Sequence, residues 1–214
     1  MNIERVKWSQ ERFFENFPGG FSHPTMVEIG KKHKLTKMYE MVQEKFCESA
    51  FEDVEAVTEA MIKVVCSASV IAVFDKPKFR DGVRLMREEA KFQLVMGLKE
   101  MLYGNQEMGF ELMKGILAEY GLAKWSIITV IPAYFYPKQE VFIKPTTVKA
   151  IIDIYELEGV KYHPTPTWEF YEKYREETLK MASEVDESLS ENLMAFNGFL
   201  MLSMEEMGIK VWKK

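Results

Sequence analysis

The sequence predicts a mostly all-α protein: a single orthogonal helical domain built round two central apolar helices, with at most two very short strands near 141–144 and 160–163. Three observations lead there. Apolar residues recur at steps of three or four through most of the 214 positions, the spacing that lines one face of a helix. Two stretches, Leu122 to Phe135 and about Glu191 to Met207, are apolar on almost every side and so belong inside. Only VFIK at Val141 to Lys144 and VKYH at Val160 to His163 have strand character. With 47% hydrophobic and 29% charged residues, the composition is that of a folded chain rather than a disordered one.

Each element has its own signal. From Pro77 to Tyr103 the residues Val83, Met86, Ala90, Leu94, Leu98 and Met101 form one stripe, which predicts a long helix. Gly104 suits a left-handed cap and Asn105 suits the N-cap of the next helix, Gln106 to Tyr120, which ends at Gly121. Pro132 has no amide hydrogen, so the first central helix should kink or stop near Ile131, with a bend at Tyr134 to Pro137. Between the two strand-like pieces, Pro145 to Leu157 reads as a helix with proline in its first turn. Trp168 to Val185 is amphipathic, with Glu169/Lys173 and Glu176/Lys180 paired at four-residue spacing. Gly208 ends the second central helix. Residues 1–214 show no repeat and no flexible linker, so one domain is the simplest division, and a subdomain joint is suggested only near 75–77, at Lys76 and Pro77.

The chain carries 28 basic and 33 acidic residues, a net charge of −5, which disfavours non-specific coating of nucleic acid while leaving room for a local basic patch. Cys47 and Cys66 stand apart in helix-like surroundings and read as reduced and structural. The opening MNIERVKW lacks the apolar run of a secretory signal, so the cytoplasm is the expected address. The most apolar runs, Met61 to Phe74 and Trp125 to Phe135, fall short of the ~20 residues that cross a bilayer, so no membrane span is expected. No histidine or cysteine spacing holds a metal, no glycine-rich loop cradles a phosphate chain, and no GxSxG elbow presents a nucleophile. The acidic pairs Glu88/Glu89, Glu176/Glu177 and Glu205/Glu206 diverge on their helices. No catalytic residue, metal or cofactor is therefore expected.

The segment from Gly121 to Trp168 is the hardest to explain by packing. Four lysines and one acid lie between Gly121 and Lys149, so an acidic protein turns locally basic there. Thr146 and Thr147 at a helix start, flanked by Lys144 and Lys149, suit an anion through amide hydrogens, helix dipole and ammonium charge. The same pattern also describes an ordinary N-cap with exposed lysines. Lys124, His163 and Trp168 complete the candidate set, His163 being able to act as an acid or base near neutrality. The fifteen methionines fit core packing, and methionine also lines adaptable binding grooves.

The run GLAKWSIITVIPAYFYPKQEVFIKPTTVKAI at Gly121 to Ile151, YHPTPTWEFY at Tyr162 to Tyr171, MAFNGFLML at Met194 to Leu202 and FPGGFSHP at Phe17 to Pro24 together resemble a family of uncharacterised bacterial proteins. That resemblance implies a bacterial origin and no particular activity. The order helix, glycine turn, apolar helix, extended piece and PTTVKAI also resembles the helix-hairpin-helix DNA glycosylases. There the resemblance implies phosphate contacts by Lys124, Lys144 and Lys149. Ala123 stands where that family has a second glycine, and Pro145 stands where its catalytic aspartate would fall, so DNA binding without glycosylase chemistry is what it implies. The leading expectation is a binding module for a small anion or a protein partner. A helix-hairpin-helix-like DNA-binding protein and an enzyme using His163 are the alternatives.

Overall fold

The computed structural model describes residues 1–206 and 208, and it is all-α. In chain order the helices are α1 (Ile3–Asn16), α2 (Pro24–His33), α3 (Leu35–Lys45), α4 (Val54–Ser67), α5 (Asp75–Arg84) and α6 (Glu88–Tyr103). They continue with α7 (Gln106–Glu119), α8 (Trp125–Phe135), α9 (Pro145–Ile154), α10 (Trp168–Ser183), the short α11 (Glu187–Ser190) and α12 (Leu193–Glu206). Side-chain caps set several starts. Asn2 accepts from the Arg5 amide at 3.1 Å, Asp53 from Ala56 at 2.9 Å and Asn105 from Met108 at 3.0 Å.

The two apolar helices each organise their own layer. In α8, Trp125 and every residue from Ile127 to Phe135 are buried, and α3, α4, α6 and α7 pack around it. Around α12 lie α1, α9, α10 and α11, with Phe196, Phe199, Leu200 and Met204 fully buried. The layers are tied where the Leu193 amide donates to the Pro137 carbonyl at 2.8 Å and Asn192 donates to the Tyr39 hydroxyl. In the α6–α7 hairpin the backbones nearly touch: a Cβ on Gly109 would stand 2.5 Å from the Gly97 carbonyl oxygen, a space only glycine leaves open.

The long stripe and the effect of Pro132 need revision, and the allowance for at most two short strands is met with none among the described residues. The stripe from Pro77 to Tyr103 is two helices, because the chain leaves helical geometry at Leu85–Arg87. Leu85 turns out to solvent, Arg87 is extended, and Glu88 and Glu89 restart the helix at the end where negative charge is favoured. Pro132 does not end α8, which runs on to Phe135 before the Tyr136 amide closes on the Pro132 carbonyl at 2.8 Å. The strand-like pieces form no ladder among the described residues. Helix side chains take their backbone groups instead: Thr129 Oγ1 accepts from the Ile143 amide at 3.0 Å, and the His163 carbonyl accepts from the Trp125 indole at 2.8 Å.

The second central helix starts at Leu193 rather than Glu191, since Asn192 Oδ1 caps it through the Met194 and Ala195 amides. Met207 lies outside the described residues. Lys76 and Pro77 fall in the first turn of α5, where the Lys76 carbonyl accepts from the Cys66 thiol at 3.6 Å. Both cysteines are free, and no described helix is long and apolar enough to cross a membrane.

Candidate ligand cavity

The seven residues singled out from sequence do not share one site. Lys124 pairs with Asp75 at 2.5 Å at the start of α5. The Lys149 ammonium sits 4.7 Å from the centre of the Tyr162 ring, a cation–π contact. His163 is exposed and its ring is turned on its own loop, Nδ1 meeting the Thr165 amide at 3.3 Å. Trp168 packs edge-on against Phe110 and carries the Arg175 guanidinium 5.6 Å above its ring. Thr146 is exposed at the α9 start. Only Lys144 and Thr147 line a common feature, a cavity of about 980 Å³.

That cavity lies between α2, the α2–α3 joint, the first turn of α9 and one face of α12. Its walls are chiefly apolar, among them Met26, Ile29, Leu35, Phe142, Met194 and Met201. Sequence reading placed the α12 methionines in the interior. Met194 and Met201 are half-buried and line the cavity, while Phe196, Phe199 and Met204 on the same helix fill the core. Thr147 is buried and donates its hydroxyl to the Met201 sulfur at 3.2 Å, joining α9 to α12 across the wall. Burial holds the Lys144 ammonium below the usual lysine pKa, because removing it from water disfavours the charged form.

Three features of the lining were not legible in advance. The run KKHKLTK, Lys31 to Lys37, brings Lys31, Lys34 and Lys37 to the cavity beside Lys144, with Glu191 as the one acidic residue among the described lining residues. Its His33, also in the lining, is hydrogen-bonded to Ser69 at 2.8 Å, which ties the end of α2 to the turn after α4. Asn197, 6% exposed, lines the cavity with its Oδ1 buried and without a hydrogen-bond partner. Finally, Gly30 and Gly198 are helical lining residues, and a Cβ built on either meets no atom within 4 Å. Helical glycine costs about 1 kcal/mol relative to alanine, and here no neighbour requires it.

A second polar cluster also escaped the sequence reading. Glu140, 2% exposed, accepts from Arg175 at 2.7 Å, from Gln106 at 2.8 Å and from the Tyr171 hydroxyl, and Gln106 in turn accepts from Arg175 at 2.7 Å. Burial and the Glu140 carboxylate together push the Tyr171 hydroxyl well above the usual tyrosine pKa, so it stays a donor. Four groups from α7, α10 and the segment after α8 thus satisfy one another.

Among the described residues, no group of three or more His, Cys, Asp or Glu side chains is arranged to hold a metal ion. Comparison with protein-family models, with curated proteins and with solved structures finds no match.

Proposed function

We propose that this chain is a small-molecule-binding protein whose ligand occupies the cavity between α2, α9 and α12. The observation that carries this reading is a conjunction in one place: a space of about 980 Å³ with chiefly apolar walls, and two helical glycines beside it on which a Cβ would meet no atom. An apolar ligand body replaces the missing contacts of the wall. The size supports the same reading, since ligand pockets commonly enclose about 300–1,000 Å³. Of the anion-binding residues expected from sequence, Lys144 and Thr147 line this cavity; Lys124, Thr146, Lys149, His163 and Trp168 do not.

Gly198→Leu tests the reading. Leucine is the better helix former, so the variant is expected to melt at or above the parent's temperature. Its side chain enters the cavity, so compounds that raise the parent's melting temperature are expected to lose that effect, and any copurified small molecule seen by native mass spectrometry is expected to disappear. An unchanged ligand response in a well-folded Gly198→Leu protein places the binding site elsewhere.

A further inference from the structure

Taking the cavity as the ligand site, we propose that its ligand class is an alkyl chain bearing a single anionic head group. The walls argue for the chain. Their apolar side chains include Met26, Met194 and Met201 with Val27, Ile29 and Leu35, and among the described lining residues Phe21 and Phe142 are the only Phe, Tyr or Trp rings, so they offer a flexible apolar sleeve rather than a stacking platform. A small inorganic anion would leave most of that sleeve bare, so head-group chemistry alone does not account for the volume of about 980 Å³.

The charges argue for the head. Lys31, Lys34, Lys37 and Lys144 line the cavity against Glu191, in a protein whose overall charge is −5. Lys31 reaches Glu28 only at 3.7 Å on an exposed helix face, a contact that leaves the local field positive. A cationic rim on a low-dielectric cavity concentrates anions and disfavours cationic amphiphiles of the same length. Lys144 is half-buried at this wall, and a carboxylate brought beside it favours the charged ammonium that burial disfavours.

The test is isothermal titration of the full chain with decanoate, dodecanoate and tetradecanoate, each below its micellar concentration, and with dodecanol and dodecyltrimethylammonium as head-group controls. Affinity is expected to rise about fourfold per methylene, as burial of apolar chain requires. Dodecanoate is expected to bind at least tenfold more tightly than dodecanol, with dodecyltrimethylammonium weakest. Lys144→Met should shrink the carboxylate preference while keeping the chain-length ladder, and added salt should do the same in part. If none of the five compounds binds, the alkyl-chain ligand class is overturned, and the cavity reading is decided separately by the Gly198→Leu comparison. If dodecanol and dodecanoate bind equally and both are lost in Gly198→Leu, the cavity reading stands and the anionic head is overturned. A carboxylate that binds without any chain-length dependence overturns the alkyl chain.

Discussion

Four residues apart on the segment that follows α8, Glu140 and Lys144 enter two opposite kinds of surroundings. Glu140 is sealed among Arg175, Gln106 and Tyr171, each donor matched to an acceptor at hydrogen-bonding distance. Lys144 borders a large opening, and Asn197 of the same lining carries a buried oxygen without a hydrogen-bond partner. The contrast is between polar groups that satisfy one another inside the fold and polar groups at the edge of the cavity proposed to take a ligand. A closed network stabilises through its own completeness, so losing any member leaves the others stranded. Trp168 and Arg175, which look like ligand-binding residues in isolation, belong to the closed side, because the guanidinium is shared between the Trp168 and Tyr171 rings and the Glu140 carboxylate.

The comparison is broken most forcefully at Glu140. Removing one partner of a buried, hydrogen-bonded ion pair leaves the other charge uncompensated, so Glu140→Ala is expected to lower the unfolding free energy by about 3–5 kcal/mol. Urea denaturation measures this, and ligand affinity in the protein that remains folded should stay near the parent's. A loss below about 1 kcal/mol would make the cluster an ordinary surface pair.

Next in size is an alkaline effect on the same closed class of contact. The Tyr155 hydroxyl hydrogen-bonds to Ser9 at 2.9 Å, tying α9 to α1, and burial pushes its pKa up to about 12. In the unfolded chain a tyrosine ionises near pH 10, so above that pH the unfolded state gives up a proton that the native state keeps. The stabilisation is complete below pH 10 and is lost as pH climbs through about 12. Tyr155 alone should account for about 3 kcal/mol over that window. In Tyr155→Phe, unfolding curves between pH 9 and 12 are expected to show a shallower alkaline decline, and a slope equal to the parent's would remove Tyr155 from the cause.

What the sequence disclosed follows the reach of each signal. Helices α8 and α12 were readable because their residues are apolar all round, a property that needs no knowledge of neighbours. The joint at Leu85–Arg87 was not, since Val83 and Met86 are both buried and keep the spacing intact across the break. Hydrophobic period alone cannot tell one long helix from two that present the same face. Lys144 and Thr147 were found from a proline-started helix beside lysine, which is local information. Their companions on α2, α12 and the α2–α3 joint lie far away in the chain, where spacing says nothing about proximity. Lys124 was overestimated for the same reason, its partner Asp75 being 49 positions earlier.

A smaller change of opposite sign sharpens the comparison from the open side. Asn197→Leu replaces a buried amide that lacks an acceptor's partner with an apolar group of similar size, so the unliganded protein should gain about 1–2 kcal/mol. The same exchange in the closed cluster destabilises. Unfolding measurements should show Asn197→Leu more stable, and a destabilised Asn197→Leu would move Asn197 to the structural class.

The smallest expected effect concerns the rim. Lys34 joins α2 to α3 with φ at 53° and ψ at 35°, a left-handed conformation that side chains with a Cβ adopt at a cost of about 1–2 kcal/mol. Nothing in the backbone hydrogen bonding requires a lysine there, because it is the Lys34 amide that closes the turn, on the Gly30 and Lys31 carbonyls. Glycine takes this conformation freely and loses more entropy on folding, so Lys34→Gly should gain only about 0.5–1 kcal/mol. Lys34→Asn supplies the control, since asparagine tolerates the left-handed turn and carries no charge. If the lysine serves the ligand's head group, both variants weaken dodecanoate binding equally and Lys34→Arg retains it. If the turn's shape is what matters, Lys34→Asn binds as the parent does, and the positive rim must be assigned to Lys31, Lys37 and Lys144.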